Sequence, residues 1–324
     1  MLYPTLKPRL DFMKQTTSTL LMIQPAAFFF NEETAENNYY QDPTKAVAKE
    51  SSQDLALKEF QDFVALLRAN QIDVIVVPDL VENETPDSIF PNNWVSFHED
   101  GRVFLYPMCA KSRRRERRPE ILDQIQHSGF SISTITDLSY TENQGLYLEG
   151  TGSMIFDRAN QIAYAARSIR TDENLFNDYC KTIGYQPVVF SSFQTVQQQR
   201  LPIYHTNVMM CVADRYAVIC LTCIDDLEER EMVRENLEKT GKTIIEISED
   251  QVNQFAGNML QVENTLGEKF LIMSDSACRS LTADQLKLLT SFNPILAPSL
   301  TTIETCGGGS ARCMLAEVFL PKNR

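Results

Sequence analysis

The feature that most constrains the fold of this chain is a hairpin pattern that recurs at a nearly constant interval. Short apolar segments that can open a β-hairpin begin at five positions, separated by 60, 54, 51 and 55 residues. These segments begin near Trp94, Met154, Val208, Met259 and Met314. A steady period of this length indicates a repeat architecture, in which each unit buries its apolar face against its neighbours.

Each unit has the pattern of two antiparallel strands, a helix and a further strand. In the first unit, Glu99-Asp-Gly-Arg102 is a strong hairpin turn between two apolar segments. The fifth copy has no helix after it, but the strand, helix and strand expected over residues 19–77 can complete it. The sequence therefore predicts an α/β fold of five ββαβ units, arranged with five-fold pseudosymmetry as a closed α/β propeller around a central cavity.

The same pattern divides the chain. We expect residues 1–18 to be a loosely held N-terminal extension, because they have no period, and residues 19–324 to form a single domain. Asp42-Pro43 is expected to open the helix between the first two strands. The basic cluster at residues 111–118 is interpreted as the solvated face of a helix.

Charge and cysteine content exclude several classes of partner. The net charge is −13, whereas nucleic acids and anionic membranes attract clustered Lys and Arg. The apolar stretch at residues 20–30 is interrupted by Gln24-Pro25, and no run reaches the roughly 20 residues of a membrane span. The eight cysteines, including the single pair Cys220 and Cys223, do not repeat with metal-ligand spacing and are interpreted as reduced thiols. We expect a cytoplasmic protein that needs no metal or organic cofactor.

Polar and ionisable residues stand just before the hairpins, where a closed ring would bring them together. They are Asn92 and Asn93, Glu149, His205 and Asn207, Asn258, and Cys313. Each has a structural alternative, as a turn-forming asparagine, an exposed glutamate, a structural histidine or a packed thiol. Their recurrence at the same phase of the repeat favours a shared site instead.

Cys313 is the candidate nucleophile of that site. It follows three consecutive glycines, residues 307–309, which suit a sharp turn or a close approach of the backbone. The apolar segment after Cys313 is expected to be a buried strand, so the thiol would lie at its entrance. An inert packing cysteine is the alternative, and it is the role expected for Cys306.

Taken in order, these motifs resemble the guanidino-group-modifying enzymes of the pentein fold, which include arginine deiminases, dimethylargininases and amidinotransferases. The resemblance covers nearly the whole chain after residue 18. It rests on Phe90-Pro-Asn-Asn93, Leu148-Glu-Gly150, Ser168-Ile-Arg-Thr171, His205-Thr-Asn207 and Gly307-Gly-Gly-Ser-Ala-Arg-Cys313. The Gln24-Pro-Ala-Ala-Phe-Phe-Phe-Asn31 opening further resembles the arginine-deiminase-related proteins of the citrulline-utilisation hydrolase type.

The resemblance implies a reaction and the residues that carry it. Cys313 would attack the carbon of a guanidino or ureido group, giving a thiouronium or thioester-like intermediate. His205 would be the general acid and base, and Glu149 would bind a substrate nitrogen or orient the histidine. Arg170 matches the family position that pairs with a substrate carboxylate, with a helix-capping or ion-pair role as its alternative. No cofactor is implied.

Two asparagines depart from the family pattern. Deiminases have aspartates at the positions of Asn93 and Asn207, where two carboxylates clamp a guanidinium. An amide can both donate to a ureido oxygen and accept from a ureido nitrogen. The substitution therefore favours a neutral ureido compound such as citrulline.

The expected function is hydrolysis of a C–N bond of a small arginine-like compound. Arginine deiminase and amidinotransferase activities are the enzymatic alternatives, and a pentein-fold binding protein is the non-enzymatic one. The expected partner is a small-molecule substrate, with no nucleic acid or membrane, and homo-oligomerisation is left open. Residues expected to contact substrate, besides the three catalytic ones, are Asn92, Asn93, Asn207, Arg170 and Asp87, the last with turn capping as an equal alternative.

Overall fold

A computed structural model of the chain describes residues 13–42 and 49–323. The strands in these ranges are short, mostly three to six residues, and alternate with helices along the chain. They are β1 Thr19–Gln24, β2 Asp73–Pro78, β3 Val95–Phe97, β4 Arg102–Leu105, β5 Thr134–Asp137, β6 Met154–Asp157, β7 Ile162–Arg167, β8 Gln186–Ser191, β9 Phe193–Val196, β10 Gln199–Pro202, β11 Met210–Val212, β12 Tyr216–Ile219, β13 Thr243–Glu246, β14 Leu260–Glu263, β15 Lys269–Ile272, β16 Ile295–Leu296 and β17 Ala316–Glu317.

The α-helices of the described ranges fall into two groups, five longer ones that connect parallel strands and four short ones in loops. In chain order they are α1 Glu32–Ala35, α2 Lys49–Ala69, α3 Pro119–His127, α4 Gly150–Ser153, α5 Glu173–Ile183, α6 Leu227–Lys239, α7 Glu249–Val252, α8 Asp275–Ser280 and α9 Ala283–Phe292. The apolar spacing in α2 correctly indicated its buried face, since Phe60, Phe63, Val64 and Leu67 are all buried.

Within the part of the chain that the structure describes, five three-stranded sheets have the same topology. In each, an antiparallel pair is extended by a strand that runs parallel to the second member, and a longer helix makes the parallel connection. The sheets are β3-β4-β5, β6-β7-β8, β11-β12-β13, β14-β15-β16 and β17-β1-β2. Hydrogen bonding does not run from one sheet to the next within the described residues, so they do not form a closed barrel. The mixed α/β class expected from the sequence is observed.

The β17-β1-β2 sheet joins distant parts of the chain. Leu20 pairs with Glu317 and Leu21 with Ala316, antiparallel, while β2 runs parallel to β1 on its other side. The strand, helix and strand at residues 19–77 thus complete the unit that opens near Met314, as the sequence pattern predicts. The first strand of each unit begins at the expected residue or up to two residues later. A short helical turn precedes most of these strands and, in two units, includes the expected first residue.

Two local features differ from expectation. The β9–β10 hairpin was not anticipated, because its turn residues, Gln197 and Gln198, have positive φ values of 47° and 68° without being typical turn formers. The interpretation of residues 111–118 as a solvated helix face is wrong. Ser112–Glu116 is a 3-10 helix in which Arg113 and Glu116 are buried against each other.

The segment before β1 is held against the sheets where it is described. Gln15 Nε2 donates to the carbonyls of Phe156 and Val212, at 2.9 and 3.0 Å, and Thr17 Oγ1 donates to Val318 O at 2.8 Å. Residues 1–12 of the expected extension lie outside the described residues, as does Pro43 of the expected helix start. No helix in the described ranges is long and apolar enough to cross a membrane.

Candidate active site

Short helical turns before the first strands of the units carry the candidate residues. Asn93 ends the turn Pro91–Asn93 before β3, and Cys313 lies in Ala311–Met314 before β17. Glu149 caps α4 before β6, and His205 caps the turn Thr206–Val208 before β11. These four side chains are almost fully buried, with exposed fractions of 3% or less.

Two glycines of the Glu149-Gly-Thr-Gly152 motif let these turns meet. Gly150 has φ +47°, and a Cβ there would lie 2.3 Å from Asn92 O. A Cβ on Gly152 would lie 2.4 Å from Asn93 Nδ2 and 2.9 Å from the His205 ring. A side chain at either position would separate the turns, so glycine is required for the close approach.

The residues line a small cavity in which the side chains leave little free space. Its walls come from the turns before β3, β11 and β17, from residues 31–42, and from two buried arginines. The lining residues are Thr34, Asn38, Asp87, Phe90, Asn93, Arg113, Arg170, Tyr204, His205, Gly307 and Cys313. Asn92 does not line the cavity, and its Nδ2 instead donates to Thr151 Oγ1 at 3.3 Å.

Glu149 and His205 form a buried pair. The His205 Nε2 and Glu149 Oε2 atoms are 2.7 Å apart, and Glu149 Oε1 accepts from the backbone N–H of Cys109 at 2.9 Å. Burial opposes ionisation of Glu149, but Arg170 and the bond to His205 outweigh it and hold its pKa well below its usual range. Burial lowers the pKa of His205 to about 4, although Glu149 opposes this shift. The pair is therefore a carboxylate and a neutral imidazole at pH 7.

Two amides are directed at the Cys313 sulfur. Asn207 Nδ2 lies 3.4 Å and Asn258 Nδ2 3.2 Å from Sγ. Asn258 also donates to Asn207 O and accepts from the backbone N–H of Arg312, both at 3.0 Å, so it fixes the turn that carries the thiol. A sulfur surrounded by N–H donors is suited to carry negative charge. Within the described residues, no hydrogen bond links His205 directly to Cys313.

Asn93 is held by a buried ion pair. Arg113 Nη1 donates to Asn93 Oδ1 at 2.8 Å, and the rest of the Arg113 guanidinium is bound by Glu116, at 2.8 and 2.9 Å. Asn93 Nδ2 is buried and has no hydrogen-bond partner in the described structure, and the same is true of Asn207 Oδ1. The site thus holds one unpaired amide donor and one unpaired amide acceptor.

Asp87 and Arg170 form a second polar group in the cavity. Asp87 Oδ2 accepts from Asn31 Nδ2 at 2.6 Å, while its Oδ1 is buried without a partner. Arg170 stacks over the Tyr204 ring at 4.9 Å, donates to Asn37 Oδ1 at 2.8 Å and approaches Glu149 Oε2 at 3.4 Å. Burial raises the pKa of Asp87, against the opposing influence of Arg113.

Residues 31–42, the covering segment, close the cavity over the glycine run. Asn38 Nδ2 donates to Gly308 O at 3.2 Å, and Gln41 Nε2 donates to Cys306 O at 2.9 Å. Gly308 has φ +63°, and a Cβ on Gly309 would lie 2.8 Å from the Phe90 ring. The glycines are therefore needed both for the left-handed turn and for packing on Phe90.

The structure brings Cys313, His205, Glu149, Asn93, Asn207, Arg170 and Asp87 to one buried site. Sequence reasoning noted Asn258 only as one more polar residue before a hairpin and gave it no role. Its position in phase with the other residues was the available signal. Arg113 carried no such signal, because it lies within a run of surface-like basic residues. No group of three His, Cys, Asp or Glu residues in the described ranges could hold a metal ion.

The topology and the buried group of Cys313, His205 and Glu149 agree with a pentein-fold protein of the guanidino-modifying class. More particularly, the chain belongs to the family described as N,N dimethylarginine dimethylhydrolase, eukaryotic, whose model matches residues 24–320. No curated protein sequence matches it.

Solved structures with the same fold include members of two groups of enzymes. ArgZ, an arginine dihydrolase from the ornithine-ammonia cycle in Cyanobacteria, superposes with a TM-score of 0.72 at 20% identity, over 94% of this chain but 41% of ArgZ. Its N-terminal domain, bound to product, gives 0.68 at 20% identity, covering 94% of this chain and 99% of that domain. A dimethylarginine dimethylaminohydrolase adduct gives 0.62 at 14% identity, over 93% and 99%. The chain thus spans under half of full-length ArgZ, and these similarities establish the fold.

Proposed function

We propose that this protein is a cysteine-dependent hydrolase that cleaves a terminal C–N bond of a small arginine-like amino acid, with citrulline as the favoured substrate. The observation that carries the proposal is the Cys313 sulfur, which lies beside two amide donors and lines the same cavity as His205, whose ring is hydrogen-bonded to Glu149. A thiol nucleophile and a buried neutral imidazole are the groups that covalent hydrolysis of such a bond requires.

The cavity offers a separate place for each end of such a substrate. Asp87 Oδ1 is an unpaired acceptor suited to an α-ammonium group, and Arg170 is suited to an α-carboxylate. At the other end, Asn93 Nδ2 can donate to a ureido oxygen and Asn207 Oδ1 can accept from a ureido NH2. Filling both unpaired amide atoms would recover hydrogen bonds that the closed cavity leaves unmade.

The reaction follows from these positions. The neutral imidazole of His205 takes up the proton that leaves the Cys313 thiol, and the resulting thiolate attacks the ureido carbon and forms a C–S bond. A C–N bond of the tetrahedral adduct then breaks, and its nitrogen leaves with a proton supplied by the imidazolium of His205. Water, deprotonated by the neutral His205, attacks the S-carbamoyl intermediate and releases Cys313. The carbamate product decomposes, so citrulline and water give ornithine, ammonia and carbon dioxide. Glu149 stabilises the imidazolium whenever it forms.

The proposal includes the arrangement around the site. We infer that the five sheets surround the cavity as an α/β propeller, with residues 19–324 as one catalytic domain. The five-fold ring would explain why equivalent turns of successive units supply the reacting groups. The enzyme would need no cofactor and would act in the cytoplasm on a small molecule.

A guanidino substrate is the second candidate. The buried carboxylates of Asp87 and Glu149 favour it, because a guanidinium is recognised by carboxylate oxygens. The family description names dimethylarginine, and ArgZ is described as an arginine dihydrolase. Arginine or dimethylarginine would then react through a thiouronium intermediate, with water as in a deiminase or an amine as in an amidinotransferase.

A substrate panel tests the proposal. Purified protein is incubated with citrulline, arginine and dimethylarginine, and ammonia, ornithine, citrulline and dimethylamine are quantified. Ornithine and ammonia from citrulline are expected, with Cys313→Ala inactive. Release of citrulline from arginine or dimethylarginine, without ornithine from citrulline, would transfer the assignment to the guanidino reaction. Tight ligand binding without turnover of any compound would identify a binding protein.

A further inference from the structure

The orientation of the Asn93 amide is set by a residue that does not itself need to touch substrate. Asn93 Oδ1 accepts from Arg113 Nη1 at 2.8 Å, which leaves Nδ2 as the atom without a partner. Turning the amide over would direct its NH2 at the guanidinium of Arg113, which has only donors. The reversed orientation is therefore excluded while Arg113 stays in place.

Arg113 is in turn fixed from several sides. Glu116 accepts from its Nε at 2.8 Å and from its Nη2 at 2.9 Å, in a two-point pair that holds the guanidinium plane. Its Nη2 also reaches Phe90 O at 3.3 Å and Asp87 O at 3.4 Å, at the base of the turn that carries Asn93. The side chain is 4% exposed, so water does not compete for these bonds.

This arrangement has a consequence for selectivity. A buried NH2 group that cannot turn increases affinity for a ligand whose facing atom accepts a hydrogen bond. It decreases affinity for a ligand whose facing atom can only donate one. A ureido oxygen accepts, whereas every nitrogen of a guanidinium donates. The positive charge of Arg113 on the cavity wall adds to the penalty, although Glu116 offsets much of it.

We propose that Arg113, held by Glu116, is a specificity-determining positioning residue that fixes Asn93 with its NH2 toward the substrate and thereby selects ureido over guanidino compounds. The inference rests on the proposed function, because it assumes that the cavity binds an arginine-like amino acid. It assigns to Arg113 no role in bond cleavage.

Binding to the Cys313→Ala protein measures this selection without turnover. Calorimetric titration with citrulline and with arginine gives the ratio of the two dissociation constants. We expect citrulline to bind about 10- to 100-fold more tightly, the cost of one unpaired buried donor. Equal affinity, tighter binding of arginine, or no binding of either ligand would overturn the inference.

Two further variants in the Cys313→Ala background test the part of Arg113. In the Arg113→Gln/Glu116→Gln double variant, which removes both charges and avoids a lone buried carboxylate, the preference should fall to within about threefold, because Asn93 can turn. In Asn93→Asp, which retains the ion pair, one carboxylate oxygen faces Arg113 and the other faces the ligand. Arginine should then bind more tightly, by about 10-fold. Arg114→Gln, in the same 3-10 helix but bonded to Met108 O, is the matched control and should keep the original ratio.

The outcomes separate this inference from the proposed function. A retained citrulline preference in the double variant, or in Asn93→Asp, contradicts the role of Arg113 even if the enzyme turns over citrulline. The dissociation constants can instead give the expected ratios while the protein that retains Cys313 turns over neither ligand. That result supports the role of Arg113 and contradicts the proposed hydrolase activity. If the double variant does not fold, as circular dichroism would show, Arg113→Met/Glu116→Leu replaces it, because apolar residues of similar size are commonly tolerated in place of a buried ion pair and equally leave Asn93 able to turn.

Discussion

The Glu149 carboxylate and the His205 imidazole are joined by a 2.7 Å hydrogen bond between two side chains that are both out of contact with solvent. Arg170 Nη1 lies 3.4 Å from the same Glu149 oxygen, so this oxygen interacts with a guanidinium and an imidazole at once. Its negative charge, rather than its shape, is what would stabilise a protonated His205 during the reaction.

Replacing Glu149 with glutamine therefore tests the charge alone. We expect kcat to fall by about 100-fold or more, since general acid–base catalysis contributes on that scale. Steady-state kinetics with the best substrate measure the effect. Glu142→Gln is the matched control, because Glu142 is a partly buried carboxylate that is also paired with arginines, but it does not line the cavity. An equal loss in both variants would indicate a general structural effect.

The two thiols on either side of the glycine run should behave differently. Cys313→Ser should lose nearly all turnover, because a hydroxyl is a far weaker nucleophile, while ligand binding persists. Cys306→Ser should retain turnover, since the Cys306 sulfur contacts the Ser52 hydroxyl at 3.8 Å and it is the Cys306 carbonyl that binds Gln41. Activity in the Cys313→Ser protein would contradict the assignment of the nucleophile.

Asn258 should matter more for the reactivity of the thiol than for stability. Asn258→Asp can keep the bond to Arg312 N–H but places a carboxylate oxygen near the Cys313 sulfur. The added negative charge should move the pH profile of Cys313 alkylation by iodoacetamide upward by about one unit or more. Thermal unfolding of the same protein checks that the fold is retained. An unchanged alkylation profile would exclude contact between the two groups in solution.

The covering segment should control access to the cavity. Gln41→Ala removes the bond to Cys306 O, and opening should become easier by about 1 kcal/mol. We expect KM to rise several-fold with a smaller change in kcat, and limited proteolysis within residues 31–42 to accelerate. Asn70→Ala, which removes a bond to Leu66 O at the end of α2, is the control. Unchanged proteolysis would show that Gln41 does not hold the segment closed.

Acid should destabilise the folded protein through its buried histidines. The pKa of His205 is lowered to about 4 and that of His98 to about 3, in both cases mainly by burial. Below pH 6.5 the unfolded chain binds protons that the folded chain does not, so the free energy of unfolding falls as pH decreases. The loss should be about 2 to 3 kcal/mol per histidine between pH 6.5 and 4.5.

Urea unfolding at several pH values measures this loss. His127 is exposed, so His127→Gln should leave the pH dependence unchanged. Glu116, whose pKa burial raises to about 7, contributes in the opposite sense, so the histidine contribution is read as the difference between this protein and His98→Gln. The absence of any difference would mean that His98 is protonated in the folded state.

Structural features that recur in every unit could mostly be predicted from the sequence, whereas features that occur in a single unit mostly could not. Hairpin turns and the period near 55 residues located the five units and, through their common phase, Glu149, His205 and Cys313. The β9–β10 hairpin was missed because Gln197 and Gln198 give no turn signal. The role of Arg113 was missed because a buried arginine and a solvated one have the same sequence context when the partner, here Asn93, lies 20 residues away. Pairings of that kind depend on tertiary structure and have no local pattern.

The pairing of β17 with β1 also has a consequence for the timing of assembly. Strand β1 is synthesised early, yet one of its edges stays open until Ala316 and Glu317 arrive, so the nascent chain carries an unpaired edge through most of its synthesis. The thiol lies three residues before that final strand, and its amide neighbours come from units made much earlier. Cys313 is thus the last residue of the candidate site to be synthesised, so under the proposed function a ribosome-bound, incomplete chain would not yet carry its nucleophile.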